Sequence, residues 1–146
     1  MCLDYDLKPK QAAKIKAEAQ RRGYIRVWKV CRTNPYNSTG VFSHLSSAGN
    51  LGQARYKEGL RKACGDNTDK NVGWYAFLGR RTAENYKIKT NKEEIKVCYA
   101  KPSWIKRLGG YESCGEAAIF THLCFPDWKT GDMTIREFRA MCKGKP

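Results

Sequence analysis

The stretch that most constrains this chain is Val72 to Leu78, Val-Gly-Trp-Tyr-Ala-Phe-Leu, which is apolar at odd and even positions alike. Successive residues of a strand face opposite sides, so a run apolar on both belongs in the middle of a sheet covered on both faces. Gly79 ends the run. Arg80 to Tyr86 then suits a short helix, with Ala83 and Tyr86 on one side and Arg80, Arg81, Glu84 and Lys87 left to water. In EEIKVCYA, Ile95, Val97 and Tyr99 share one face and Lys96, Cys98 and Ala100 the other. Pro102, which has no amide hydrogen to give, closes that ladder. A further strand is expected over Ala117 to Cys124.

Before this core, Pro9 to Arg22 consists of helix formers with Pro at the start and Gly23 just past the end. Its apolar stripe is thin, Ala12, Ala13, Ile15, Ala17 and Ala19, and lysines and arginines crowd the rest. Tyr24 to Arg32, rich in β-branched and aromatic residues, reads as the first strand, beside the central one. The next segment, TNPYNSTGVFSHLSSAGN, has loop composition with a short extended piece at Val41 to His44. Leu51 to Cys64 is expected to be helical, although Gly52 and Gly59 weaken it. Lys101 to Leu108 reads as one or two helical turns stopped by Gly109-Gly110. A last helix follows Thr134-Ile135-Arg136-Glu137, a capping-box pattern, with Ile135, Phe138 and Met141 at helical spacing. The expected fold is α+β: a single domain with a mainly antiparallel sheet of four or five strands and flanking short helices. It divides into a basic N-terminal helix (1–23), a sheet core (24–124) and a C-terminal helix (125–146).

At 146 residues the chain is long enough for one domain with a core of its own. Its 41% apolar and 12% aromatic content excludes a disordered chain despite 29% charged residues. Charge is the stronger clue, since 28 Lys and Arg against 14 Asp and Glu leave +14. Such an excess concentrates anions at the surface, and nucleic acid, an acidic protein or an anionic membrane would all respond to it. The seven cysteines include no C-x-x-C pair, so neither a zinc site nor a disulfide framework is indicated, and free thiols in a reducing cytoplasm are expected. The first residues lack the basic and then apolar pattern of a leader, and no stretch approaches the ~20 apolar residues of a membrane span. A cytoplasmic protein with no membrane partner is expected, in the host cell cytoplasm if the protein is viral.

Nothing in the chain matches a phosphate-binding glycine loop. Asp66, Asn67, Asp69 and Asn71 resemble a calcium loop, but the bidentate Glu is missing and a solvated turn accounts for them better. His44 and His122 are the two histidines. As an acid and base pair they could cleave RNA if they met; alternation instead sets His122 among Phe120 and Cys124 as a structural residue. A metal site from Cys114, His122 and Cys124 needs the same convergence, so no metal or cofactor is expected. The more general signal is aromatic residues interleaved with cations: Trp28 between Arg26 and Lys29, Tyr56 between Arg55 and Lys57, Trp104 near Lys106 and Arg107. Cations neutralise phosphates while rings stack on bases, which makes nucleic acid the expected partner and a host protein the alternative. The residues expected to carry this binding are Lys14, Arg21, Arg22, Arg26, Lys29, Arg55, Lys57, Arg61, Lys62, Arg80, Arg81, Trp104, Lys106 and Arg107.

The run GWYAFLGRRTAENY, the strand EEIKVCYAKP, the apolar AAIFTHL and the first strand WKVCR together resemble a set of small uncharacterised phage and bacterial proteins. These share a Gly-aromatic-x-x-Phe strand before a short helix. The resemblance implies a phage or prophage accessory protein and no activity. More remotely, the order of elements is similar to the ADP-ribosyltransferase fold. That likeness implies Arg32, Tyr75 and Glu116 at the positions that hold NAD, with Glu116 orienting a ribose hydroxyl and stabilising an oxocarbenium-like transition state. His-Gly-Thr or Arg-Gly of that family is replaced here by Arg32-Thr33-Asn34. The expected function is therefore anion binding without catalysis, with a transferase, a host-protein inhibitor or a virion assembly protein as alternatives.

Overall fold

A computed structural model describes residues 3–33, 41–48, 51–55, 58–63, 68–87, 93–127 and 132–144, with the side chains of 32–33, 41–48, 51–55, 87 and 93 outside that description. In chain order the elements are β1 (Tyr5–Asp6), α1 (Pro9–Arg22), β2 (Ile25–Thr33), β3 (Val41–Ala48), β4 (Leu51–Arg55), β5 (Gly59–Lys62) and β6 (Trp74–Phe77). They continue as α2 (Arg80–Lys87), β7 (Glu93–Ala100), a 3₁₀ turn (Pro102–Trp104), β8 (Ile105–Tyr111), β9 (Gly115–Phe120), β10 (His122–Phe125) and α3 (Ile135–Cys142). The fold is α+β, and every strand pairing among the described residues is antiparallel.

The sheet is larger than the four or five strands expected, because ten strands join it. Three differences from the sequence reading account for β3, β4, β5 and β8, while β1 and the division of the last expected strand at Thr121 into β9 and β10 supply the rest. Leu51 to Cys64 is not a helix: β4 pairs with β3, and β5 pairs with β10 from Gly59↔Phe125 to Lys62↔His122. With glycines at 52 and 59 its helix propensity was weak, and pairing outweighs it. The polar segment before it contains a full strand, β3, where only Val41 to His44 was expected to be extended. Lys101 to Leu108 forms one 3₁₀ turn and then enters β8, in which Gly109 and Gly110 are strand residues and not a helix stop. Their lack of a side chain admits β1. A Cβ on Gly109 would run into the Tyr5 carbonyl oxygen, and one on Gly110 into the Tyr5 hydroxyl, both well inside van der Waals separation.

Pairing closes on itself. β9 pairs with β6 from Ala117↔Phe77 to Phe120↔Trp74, β6 meets β2 at Trp28↔Phe77, and β2 pairs with β7 over eight residues. β7 meets β10 at Cys124↔Tyr99, and β10 follows β9 after Thr121 alone. One bent strand thus serves both ends of the circuit, which makes a small barrel. At the bend the Thr121 amide donates to the Trp104 carbonyl (2.9 Å) and its carbonyl accepts from the Ala63 amide (2.9 Å). Both backbone groups of Thr121 thus stay paired as the strand changes partners.

The alternation of each strand sorts residues between interior and exterior. Val27, Trp74, Ala76, Cys98, Ala118 and Phe120 belong to the larger buried cluster, where Trp74 meets Phe125 edge-on at 5.1 Å. The opposite face of β6 and β9, with Tyr75, Phe77 and Ile119, is covered by Ala83 and Tyr86 of α2. The Val72 to Leu78 run is therefore covered on both sides, as its composition requires. α1 and α3 match their expected signals. Gly23 takes the left-handed conformation (φ 83°) and donates to the Ala19 carbonyl, while the Thr134 hydroxyl accepts from the Glu137 amide (3.1 Å). Among the described residues no helix is long and apolar enough to cross a membrane.

The approach of β1 to β8 supplies a test. Gly109→Ala sets a methyl group against the Tyr5 backbone, forces the two strands apart and should destabilise the chain by about 1–3 kcal/mol. Urea unfolding would show this as a lowered midpoint.

Candidate nucleic-acid interface

On the barrel exterior, β2 presents Arg26 and Trp28 beside their cross-strand partners Tyr99 and Val97 of β7. Tyr24, at the entry to β2, meets the Tyr99 ring edge-on at 5.7 Å. The Arg26 guanidinium lies 5.7 Å from the Tyr99 ring centre, and its Nε donates to the Tyr99 hydroxyl (3.1 Å). This fixes the arginine over an aromatic floor, a cation–π arrangement that still leaves Arg26 exposed.

Two clefts meet on this floor. The first, about 300 Å³, lies between Glu18, Ala19 and Arg22 of α1 and the row Tyr24, Arg26 and Trp28. The second, about 470 Å³, runs from Arg26, Trp28 and Tyr99 to Arg80 and the segment Asp132 to Ile135 before and into α3. Arg26 and Trp28 line both, so the two are one groove with three arginines along it. Arg22 is paired with Glu18 (2.7 Å) and Arg80 with Glu84 (3.2 Å), all half-exposed or more. Exposed pairs of this kind are worth little, so an incoming phosphate can replace the carboxylate as partner.

Of the residues expected to bind nucleic acid, Arg22, Arg26 and Arg80 come together here. Lys14, Arg21, Lys62 and Arg81 are exposed but line neither cleft. Arg55 and Lys57 fall outside the described side chains, as do Arg32 and His44. Two residues, Lys29 and Trp104, are corrected by their burial, and two more, Arg107 and Lys106, have partners within the fold. Lys29 is fully buried inside the barrel, where its ammonium donates to the Tyr75 carbonyl and sits 5.7 Å from the Trp74 ring centre. Trp104 is buried against His122 and Phe138 and offers no ring to a base. Arg107 is held by Asp6 (2.6 Å) and Asn71 (2.5 Å), and Lys106 donates to the Val72 carbonyl (2.8 Å). The Arg107 hydrogen bond holds the Asp6 carboxyl below its usual range. Arg61 has its guanidinium 5.6 Å from the Trp74 ring centre.

Tyr24 and Tyr99 are the floor residues that sequence reasoning missed. Parity with Arg26 and Trp28 could have pointed to Tyr24, whereas Tyr99 is visible only through the β2–β7 register. For the positions carried by the transferase likeness, the Tyr75 ring is buried in the second cluster and its hydroxyl donates to the Asn71 carbonyl (2.6 Å). Glu116 accepts a hydrogen bond from the Gln11 side-chain amide. His122 is half-buried, hydrogen-bonded to the Thr121 hydroxyl (2.9 Å), and held below its usual pKa by burial and by Lys62. Burial pushes the Cys31 thiol up to about 12 and the Cys98 thiol well above its usual value, so neither is a nucleophile at neutral pH. Among the described residues no cluster of His, Cys, Asp or Glu has metal-ligand geometry. Comparison with family models, with curated proteins and with solved structures finds no match to this chain.

Burial lowers the Lys29 pKa to about 8, against the opposing influence of Cys31 and Cys98. Below that pH the amine is charged in both folded and unfolded chains, and the folded chain bears the full desolvation cost. As pH rises from about 8 toward 10.5 the folded chain loses its proton first and stability is regained. Lys29→Met should therefore stabilise the protein at pH 7 by about 1–3 kcal/mol, allowing for the hydrogen bond it removes. The gap to the wild type should narrow by pH 10 in urea titrations.

Proposed function

We propose that this protein binds single-stranded nucleic acid along the groove over β2, as a small accessory protein without catalysis. The observation that carries the reading is the sharing of Arg26 and Trp28 by the two clefts, which sets Arg22, Arg26 and Arg80 along a floor of Tyr24, Trp28 and Tyr99. Cations spaced along a groove neutralise successive phosphates, and the half-buried rings of Tyr24 and Trp28 offer stacking faces to bases whatever their identity, with the buried Tyr99 supporting them from beneath. A duplex has its bases stacked already, so such a floor favours a single strand. The net charge of +14 adds long-range attraction and speeds encounter. The likeness to small phage and bacterial proteins fits an accessory role of this kind and adds no residue to the groove.

Fluorescence anisotropy of labelled single- and double-stranded DNA and RNA, repeated across a salt series, tests the proposal. Single strands should bind more tightly than duplexes, with affinity falling steeply as salt rises. Arg26→Ala with Arg80→Ala should weaken binding and shallow the slope by ~0.7 for each phosphate no longer neutralised. Trp28→Ala should cost about 1–3 kcal/mol at an unchanged slope. Absence of binding at low salt would sink the proposal and assign the charge to a protein partner.

A further inference from the structure

A third cleft, of about 350 Å³, lies where the carboxyl end of α1, the 3₁₀ turn and α3 meet. Its size falls within the ~300–1,000 Å³ of small-molecule sites. Its floor is apolar: Pro102 with the buried Phe138 and Cys142. Three cations line the cleft with that floor, Lys101 before the 3₁₀ turn, Arg139 on α3 and Lys143 just past its end, and no carboxylate lines the cleft among the described residues. Ser103 adds a hydroxyl. The absence of carboxylates disfavours a divalent cation, which needs oxygen ligands. An apolar floor gives a bare, hydrated anion nothing to bury against, and the cations give a neutral apolar molecule nothing to pair with. What satisfies both is an anion carried on an apolar body, and three cations suit the double charge of a phosphate monoester.

The cleft is distinct from the groove. Phe138 stacks on Tyr99 at 5.6 Å, and Tyr99 meets Tyr24 at 5.7 Å. This row of rings contributes Tyr24 to the first cleft of the groove, Tyr99 to the second and Phe138 to the third cleft. From the apolar floor and the cations Lys101, Arg139 and Lys143 that line the cleft with it we infer that the protein has a separate binding site for a phosphate monoester with an aromatic or similarly apolar body, of mononucleotide size.

Titration of the full chain with phenyl phosphate, inorganic phosphate and benzyl alcohol, followed by heteronuclear NMR and calorimetry, tests this site. Phenyl phosphate should saturate, with shifts centred on residues 101–103 and 138–143. Inorganic phosphate and benzyl alcohol should each bind at least about tenfold more weakly, since each lacks one half of the ligand. Arg139→Ala with Lys143→Ala, both at exposed positions, should fold as the wild type does and lose about tenfold in affinity for phenyl phosphate. Arg26→Ala with Arg80→Ala should leave that affinity unchanged. AMP and a short oligonucleotide with a 5′-phosphate then separate a free mononucleotide from a strand end, the tighter of the two naming the source. Failure of phenyl phosphate to saturate by about 10 mM, shifts located elsewhere, or full affinity in the Arg139 and Lys143 variant would overturn the inference.

Discussion

The backbone at Thr121 is the constraint on which the rest of the structure depends. β9 pairs with β8 and β6, and β10 with β7 and β5, so a single strand bent at Thr121 carries the sheet from one set of partners to the other. Its amide and carbonyl find Trp104 and Ala63, the residues that lead into β8 and out of β5. Without that exchange the sheet would have two long open edges, an invitation to pairing between chains. With it the pairing closes, and the interior is defined as the side of Trp74 and Phe120.

Closure also explains what happens to the charges. Lys29 and Lys96 are cross-strand partners on the interior face of β2 and β7, and both are buried. Arg26, on the same strand but with the other parity, stands in the groove. An excess of +14 is therefore not a uniform coat. Part is held inside the barrel at a cost in stability, part is tied into the fold through Arg107 and Lys106, and part lines the groove and the third cleft. Only the last part is placed to meet an anionic ligand under the proposed function.

How much of this was legible depends on whether a signal was local. α1 and α3 carry their start and stop chemistry in sequence, and the two-faced run through Trp74 to Phe77 announces its own burial. Those elements were readable. β4 and β5 were not, because a glycine-interrupted segment with Leu, Ala and Lys satisfies a helical pattern about as well as an extended one, and the deciding partner of β5, β10, lies about 60 residues away. The site shows the same division. Of the run Arg26, Trp28 and Lys29, the first two line the groove, whereas parity sends Lys29 to the opposite, buried face. Trp104 beside Lys106 and Arg107 failed for a different reason: the 3₁₀ turn drives the ring inward, against Phe138 and His122. Tyr99 could be joined to Arg26 only through the register of two strands more than 70 residues apart.

In the proposed function a single strand lies over the β2 face with its bases on the rings of Tyr24 and Trp28. Ultraviolet crosslinking of the protein to a single-stranded oligonucleotide, followed by mass spectrometry of the adducts, reads that stacking directly. Adducts are expected at Trp28 and Tyr24, and none at the buried Tyr99, Trp74 and Trp104. Adducts confined to residues away from this face, or none from a complex shown to have formed, would contradict the proposed function.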